Sequence, residues 1–148
     1  MTDAMQASLR KLHLLSDDLN KASDELTAEL NSVEDALNKL KLGIPAFVTI
    51  RREDAGDGYW RIYSMGYYKL RGKWGLVTYD YIDGFGEEGD EDVVFLRDAP
   101  RDIRIEAGEH LAELIEKIAT NAAKTTESAK LRAAEAKEIA ASLSKGRT

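Results

Sequence analysis

Arg97, Arg101 and Arg104 stand where an aromatic-rich segment gives way to a helical pattern. Arg101 and Arg104 are three apart and so share a helix face. With Trp60 and Trp74 upstream they form the candidate small-ligand site of the chain. Guanidinium groups hold anions, and both guanidinium planes and nucleobases stack on aromatic rings, so the chemistry would be binding of a nucleotide or other anion. The simpler reading pairs these arginines with Asp98, Asp102 and nearby acids. Tyr59, Tyr63, Tyr67, Tyr79 and Tyr81 fall on alternating positions of neighbouring strand-like runs. One tyrosine face would make a partner-binding surface, because tyrosine is enriched in binding hot spots; turned inward, the same residues would be core or an oligomer interface.

Catalytic chemistry finds less to work with. The chain has no cysteine, which excludes disulfides, thiolate nucleophiles and cysteine zinc sites. Its two histidines, His13 and His110, lie on different helical segments and suggest no pair or triad. Gly84-Phe85-Gly86-Glu87-Glu88-Gly89 matches a glycine-rich phosphate loop in letters only, since it lies between two strands and opens no helix. Six acids between Asp83 and Asp92 would repel a phosphate; the window reads as a flexible acidic loop. It lacks the spacing of a calcium loop, and it would serve better to attract a basic partner. The sequence therefore predicts no enzyme, no catalytic residues, no cofactor and no metal.

The elements that must position these residues are clearer. Leu9, Ser16, Ser23, Leu30 and Leu37 form one row at steps of seven, and Leu12, Leu19, Leu26, Val33 and Leu40 form a second. Together they make an a/d heptad seam, the signature of a coiled coil. Its apolar members, Leu9, Leu12, Leu19, Leu26, Leu30, Val33, Leu37 and Leu40, are the predicted oligomerisation seam. Thr2 or Asp3 would cap this helix, and Gly43 and Pro45 would end it. All eleven aromatics fall between Phe47 and Phe95. Four strand-like runs, 46–52, 59–70, 73–82 and 93–97, read as an antiparallel meander, with Arg71-Gly72 as a two-residue hairpin turn. From Asp98-Ala99-Pro100 a long helical pattern runs to about Leu143, with alanines in its heptad stripe.

The predicted fold is thus α+β: two long coiled-coil-type helices flanking a small antiparallel sheet of about four strands. Its parts are an N-terminal helix over 1–43, an aromatic β head over 44–98 and a C-terminal helix with a frayed tail over 99–148. The order resembles the layout of prefoldin-type chaperone subunits, which set β hairpins between two coiled-coil helices. The economical packing is an antiparallel helix pair, leucines against alanines, with the sheet at one end. Net charge is −6, split −3 over 1–45, −4 over 46–98 and +1 over 99–148, so no segment is basic enough to track nucleic acid by charge. No run reaches the length of a membrane span, and the first residues lack the pattern of a signal peptide, which makes the cytoplasm the expected location. The expectation for function is a homo-oligomeric interaction protein, an adaptor, inhibitor or scaffold, whose helices assemble it and whose head meets a protein partner. The alternative is a binder of a nucleotide or anion.

Overall fold

The computed structural model describes residues 2–84 and 87–146, and the side chains of these except 87–90. Within them lie three α-helices and a four-stranded antiparallel sheet, in an α+β order of helix, sheet, helices. Helix α1 spans Asp3–Leu40; strands β1 to β4 span Ala46–Gly56, Tyr59–Leu70, Lys73–Gly84 and Glu87–Phe95; helices α2 and α3 span Arg101–Glu109 and Leu111–Lys145.

Local chemistry sets the boundaries. Thr2 caps α1, its hydroxyl accepting from the Met5 N–H at 3.1 Å. Lys41, not Gly43, is the left-handed residue that closes the helix, although Gly43 is left-handed too. Asp57-Gly58 and Arg71-Gly72 both take positive φ at their two residues, as tight hairpin turns require. Strands β1, β3 and β4 run into polar sequence that their composition leaves out, and β4 stops at Phe95, short of the expected Arg97. β1 continues through Asp54 and Ala55, and β3 and β4 extend into the acidic window, where Gly84 pairs with Glu87. The predicted flexible loop is therefore mostly a hairpin; Phe85 and Gly86 lie outside the described residues.

The sheet has the order β1-β2-β3-β4 and one face covered by helices. Ala46, Val48, Met65, Tyr67 and Leu76 of this face meet Leu30 and Leu37 of α1, Ile103 and Ala107 of α2, and Leu114 and Ile118 of α3. The C-terminal helical pattern is broken at His110, two residues after Gly108. Glycine weakens a helix interior, and here the break lets α2 lie on α1 while α3 turns onto β1.

The helices do not form the expected antiparallel pair. Arg101 bonds to Asn20 at 2.6 Å and Arg104 to Ser23 at 3.1 Å, a Cβ on Gly108 would lie 3.7 Å from Leu26, and Asn121 bonds to the carbonyl of Pro45 at 3.1 Å. As α1 advances, α2 and α3 advance beside it in the same sense. Consequently α1 leaves the body at one end and α3 at the other. Residues 3–22 of α1 and 123–145 of α3 are exposed throughout. At about 1.5 Å per residue, each arm is on the order of 30 Å long.

Candidate functional site

The sheet presents two faces, and cross-strand register decides which aromatic goes where. The Arg71-Gly72 turn pairs Leu70 with Lys73, and the ladder continues through Tyr67–Leu76, Met65–Thr78 and Tyr63–Asp80. Odd-numbered residues of β2 therefore share a face with even-numbered residues of β3. This splits the predicted tyrosine face. Tyr63 and Tyr67 turn inward, Tyr67 only 2% exposed, whereas Tyr79 and Tyr81 turn outward opposite Ser64 and Ile62. Tyr59 sits at the far end of β2, against Gly84.

On the outer face Tyr79 and Tyr81 are joined by Phe47 and Tyr68, neither singled out by the spacing argument. Ring centroids are 5.6 Å apart for Phe47–Tyr68, 6.1 Å for Phe47–Tyr79 and 4.9 Å for Tyr79–Tyr81, with planes inclined by 52°, 59° and 36°. Phe47 lies across Gly66, where a Cβ would come within 2.6 Å of its Cε1 and 2.7 Å of the Ala46 carbonyl. Only glycine lets the ring lie down on the sheet there. With Ser64, Glu91 and Val93 these four rings line a cleft of about 420 Å³.

A second cleft, of about 510 Å³, lies where α1 meets β3 and includes Glu34, Asn38, Lys41, Tyr67, Lys73, Trp74 and Arg97. β4 turns away after Phe95, opposite Val77, so Leu76 lies beyond the end of its ladder. Glu34 supplies the missing acceptor: its carboxylate takes the Leu76 N–H at 2.8 Å and is also met by Arg97 at 3.2 Å. Asn38 accepts from the Tyr67 hydroxyl and donates to the Trp74 carbonyl at 3.1 Å, while the Tyr67 and Trp74 rings stack at 5.2 Å. Burial, reinforced by the charge of Glu34, raises the pKa of Tyr67 above the ordinary value for a phenol.

Of the predicted ligand-site residues, Trp74 and Arg97 thus come together; the others do not. Trp60 sits under the Arg52 guanidinium, 4.3 Å from its ring centre, at the opposite end of the sheet. Arg101 and Arg104 turn to α1, and the buried Nε of Arg104 has no hydrogen-bond partner. The predicted seam is divided as well. Leu30 and Leu37 are buried and Leu26 and Val33 pack against them, while Leu9, Leu12, Leu19 and Leu40 are exposed. His13 lies in the free arm, and His110 meets Glu113 at 3.1 Å.

Outside both clefts, Arg51 ties β1 to α2. Its Nε donates to Glu106 at 3.0 Å and Nη2 to Asp102 at 3.3 Å, and the hydrogen bonds to Glu106 raise its pKa further. Among the described residues, no three His, Asp or Glu side chains converge to hold a metal, and no helix is long and apolar enough to cross a membrane. No protein-family model matches the chain, and neither a curated protein nor a solved structure matches it.

Proposed function

We propose that this chain is a non-catalytic interaction protein. Its free helical arms assemble copies of it by coiled-coil pairing, and the outer face of the sheet binds a protein partner. The observation that carries this reading is the unpartnered leucine row of the α1 arm, with Leu12 62% and Leu19 47% exposed. The same seam, one half-helix further on, is buried core. Large apolar side chains repeated at heptad spacing on a bare helix are what coiled-coil partners cover. A second copy is a suitable occupant: arms leaving opposite ends in the same sense let a two-fold axis lay the leucine arm of each copy antiparallel to the alanine arm of the other.

Sedimentation equilibrium over a wide concentration range tests the assembly. The full chain is expected to form a defined oligomer, which Leu12→Asp/Leu19→Asp dissolves without lowering the melting temperature of the monomer. A wild-type chain that stays monomeric at every concentration overturns the assembly half of the proposal.

A second reading, binding of a small anion, draws on the cleft beside α1, where Trp74 and Arg97 are joined by Lys41 and Lys73. It predicts quenching of tryptophan fluorescence and a rise in melting temperature with a bound nucleotide. A nucleotide and anion screen that moves neither quantity removes it.

A further inference from the structure

The outer face of the sheet is specific in shape and in sign. Its cleft is walled by Phe47, Tyr68, Tyr79 and Tyr81, whose neighbouring planes are inclined to one another rather than coplanar. Ring faces carry the negative end of the aromatic quadrupole, so a hollow lined by four aromatic rings suits a cation better than an anion.

Charge points the same way. Glu91 stands across the ladder from Tyr81, is exposed, and lines the cleft. It belongs to the segment 83–92, which holds six acids and no base, within a β head of net charge −4. The net negative charge of the head disfavours an incoming anion and favours an incoming cation. The chain already uses this chemistry elsewhere: Arg52 covers Trp60 at 4.3 Å and Arg97 covers Phe95 at 4.4 Å, both outside this cleft.

We infer that the outer-face cleft binds a basic segment of a protein partner, an arginine or lysine side chain resting against the aromatic walls with its charge near Glu91. This rests on the partner-binding half of the proposed function and names the chemistry of that partner; it does not need the helical arms to assemble. The cleft predicts a preference for arginine over lysine, because the flat guanidinium can lie against a ring while donating to the carboxylate.

The test is a titration of the full-length protein with N-acetyl tetra-arginine amide, its tetra-lysine counterpart, and tetra-glutamine as the neutral control. Aromatic carbon–proton NMR signals of Tyr68, Tyr79 and Tyr81 report the site. The arginine peptide is expected to shift these signals saturably, more tightly than the lysine peptide, and the neutral peptide to leave them unmoved. Tyr68→Leu, at an exposed position, is expected to weaken binding about five-fold, as loss of one cation–π contact implies. Glu91→Gln is expected to weaken it about two- to three-fold, in keeping with an exposed charge pair. No shift of the tyrosine signals up to about 10 mM peptide overturns the inference. So does binding that Glu91→Gln abolishes and Tyr68→Leu leaves intact, since charge alone would then explain it. A parallel sedimentation run separates the readings: a monomer whose tyrosines respond to the peptide loses the assembly and keeps the cleft.

Discussion

Leu30 and Leu12 belong to one heptad seam on one helix, and they live in different environments. Around Leu30 the seam meets Met65, Tyr67 and Leu76 of the sheet and the buried faces of α2 and α3. Around Leu12 no described residue of the chain covers it. The two halves differ little in their own residues; what differs is whether a sheet lies opposite. A heptad row states that a helix needs a partner along its length, and tertiary structure supplies that partner for only about half of α1.

The sharpest way to break this comparison is to truncate one leucine in each half. Leu30→Ala removes buried carbons from a packed core and is expected to cost about 2–5 kcal/mol in urea unfolding. Leu12→Ala is expected to change the stability of the monomer by no more than about 0.5 kcal/mol, because its methyls are already in water. Equal losses at the two sites in dilute protein would mean that the arm is covered within the chain.

The element types were legible in the sequence because they rest on local chemistry. Thr2 and Arg71-Gly72 carry their cap and turn instructions in their own residue types, and β2 spans the 59–70 read from composition. The direction of the last helix was not legible. Alanines at heptad spacing fit either sense of packing, and the decisive contacts, such as Arg104 with Ser23 and Asn121 with Pro45, join residues far apart in sequence. The tyrosine split was legible in principle. Once Arg71-Gly72 is a two-residue turn, pairing of Leu70 with Lys73 places odd residues of β2 against even residues of β3. Even spacing within each strand hides this, because face depends on register as well as on alternation. Glu34 also left a faint mark: it is an acid beside the buried seam positions Leu30 and Leu37 and the partly buried Val33.

Glu34 extends the comparison to polar groups, since the acids of the free arm have no such duty. Glu34→Ala leaves the Leu76 N–H without an acceptor and Arg97 without its carboxylate, at an expected cost of about 1–3 kcal/mol. Glu34→Gln keeps an acceptor and should recover part of that loss. If the two variants unfold at the same urea concentration, the hydrogen bond to Leu76 is not what holds α1 to the edge of β3.

Ion pairs allow a gentler version of the same contrast. Arg51, 25% exposed, joins β1 to Glu106 and Asp102 of α2, whereas Arg132 pairs with Glu135 on the solvated α3 arm. Arg51→Ala is expected to cost about 1–2 kcal/mol, as for a partly buried multidentate pair. Arg132→Ala should stay within about 0.5 kcal/mol, as exposed pairs on one helix do. Thermal melts in low and high salt separate them further, because screening weakens an exposed pair first.

The smallest expected effect concerns Tyr67, the inward tyrosine whose outward counterparts line the cleft. Burial first, and the charge of Glu34 second, raise its pKa in the folded chain. An acid whose folded pKa is raised favours its protonated, neutral form on folding. Its contribution is therefore complete below the ordinary phenol range, near pH 10, and is lost as pH rises through the higher folded value. Tyr67→Phe gives up the hydrogen bond to Asn38, an expected loss of about 0.5–1.5 kcal/mol at neutral pH. It also removes the alkaline dependence, so the gap between the wild type and the variant should narrow as pH rises above about 10. Tyr68→Phe, on the exposed face, provides the reference for loss of a tyrosine hydroxyl outside the core. A gap between wild type and Tyr67→Phe that stays constant as pH rises would show that the hydroxyl acts through its hydrogen bond alone and that its ionisation is not coupled to folding.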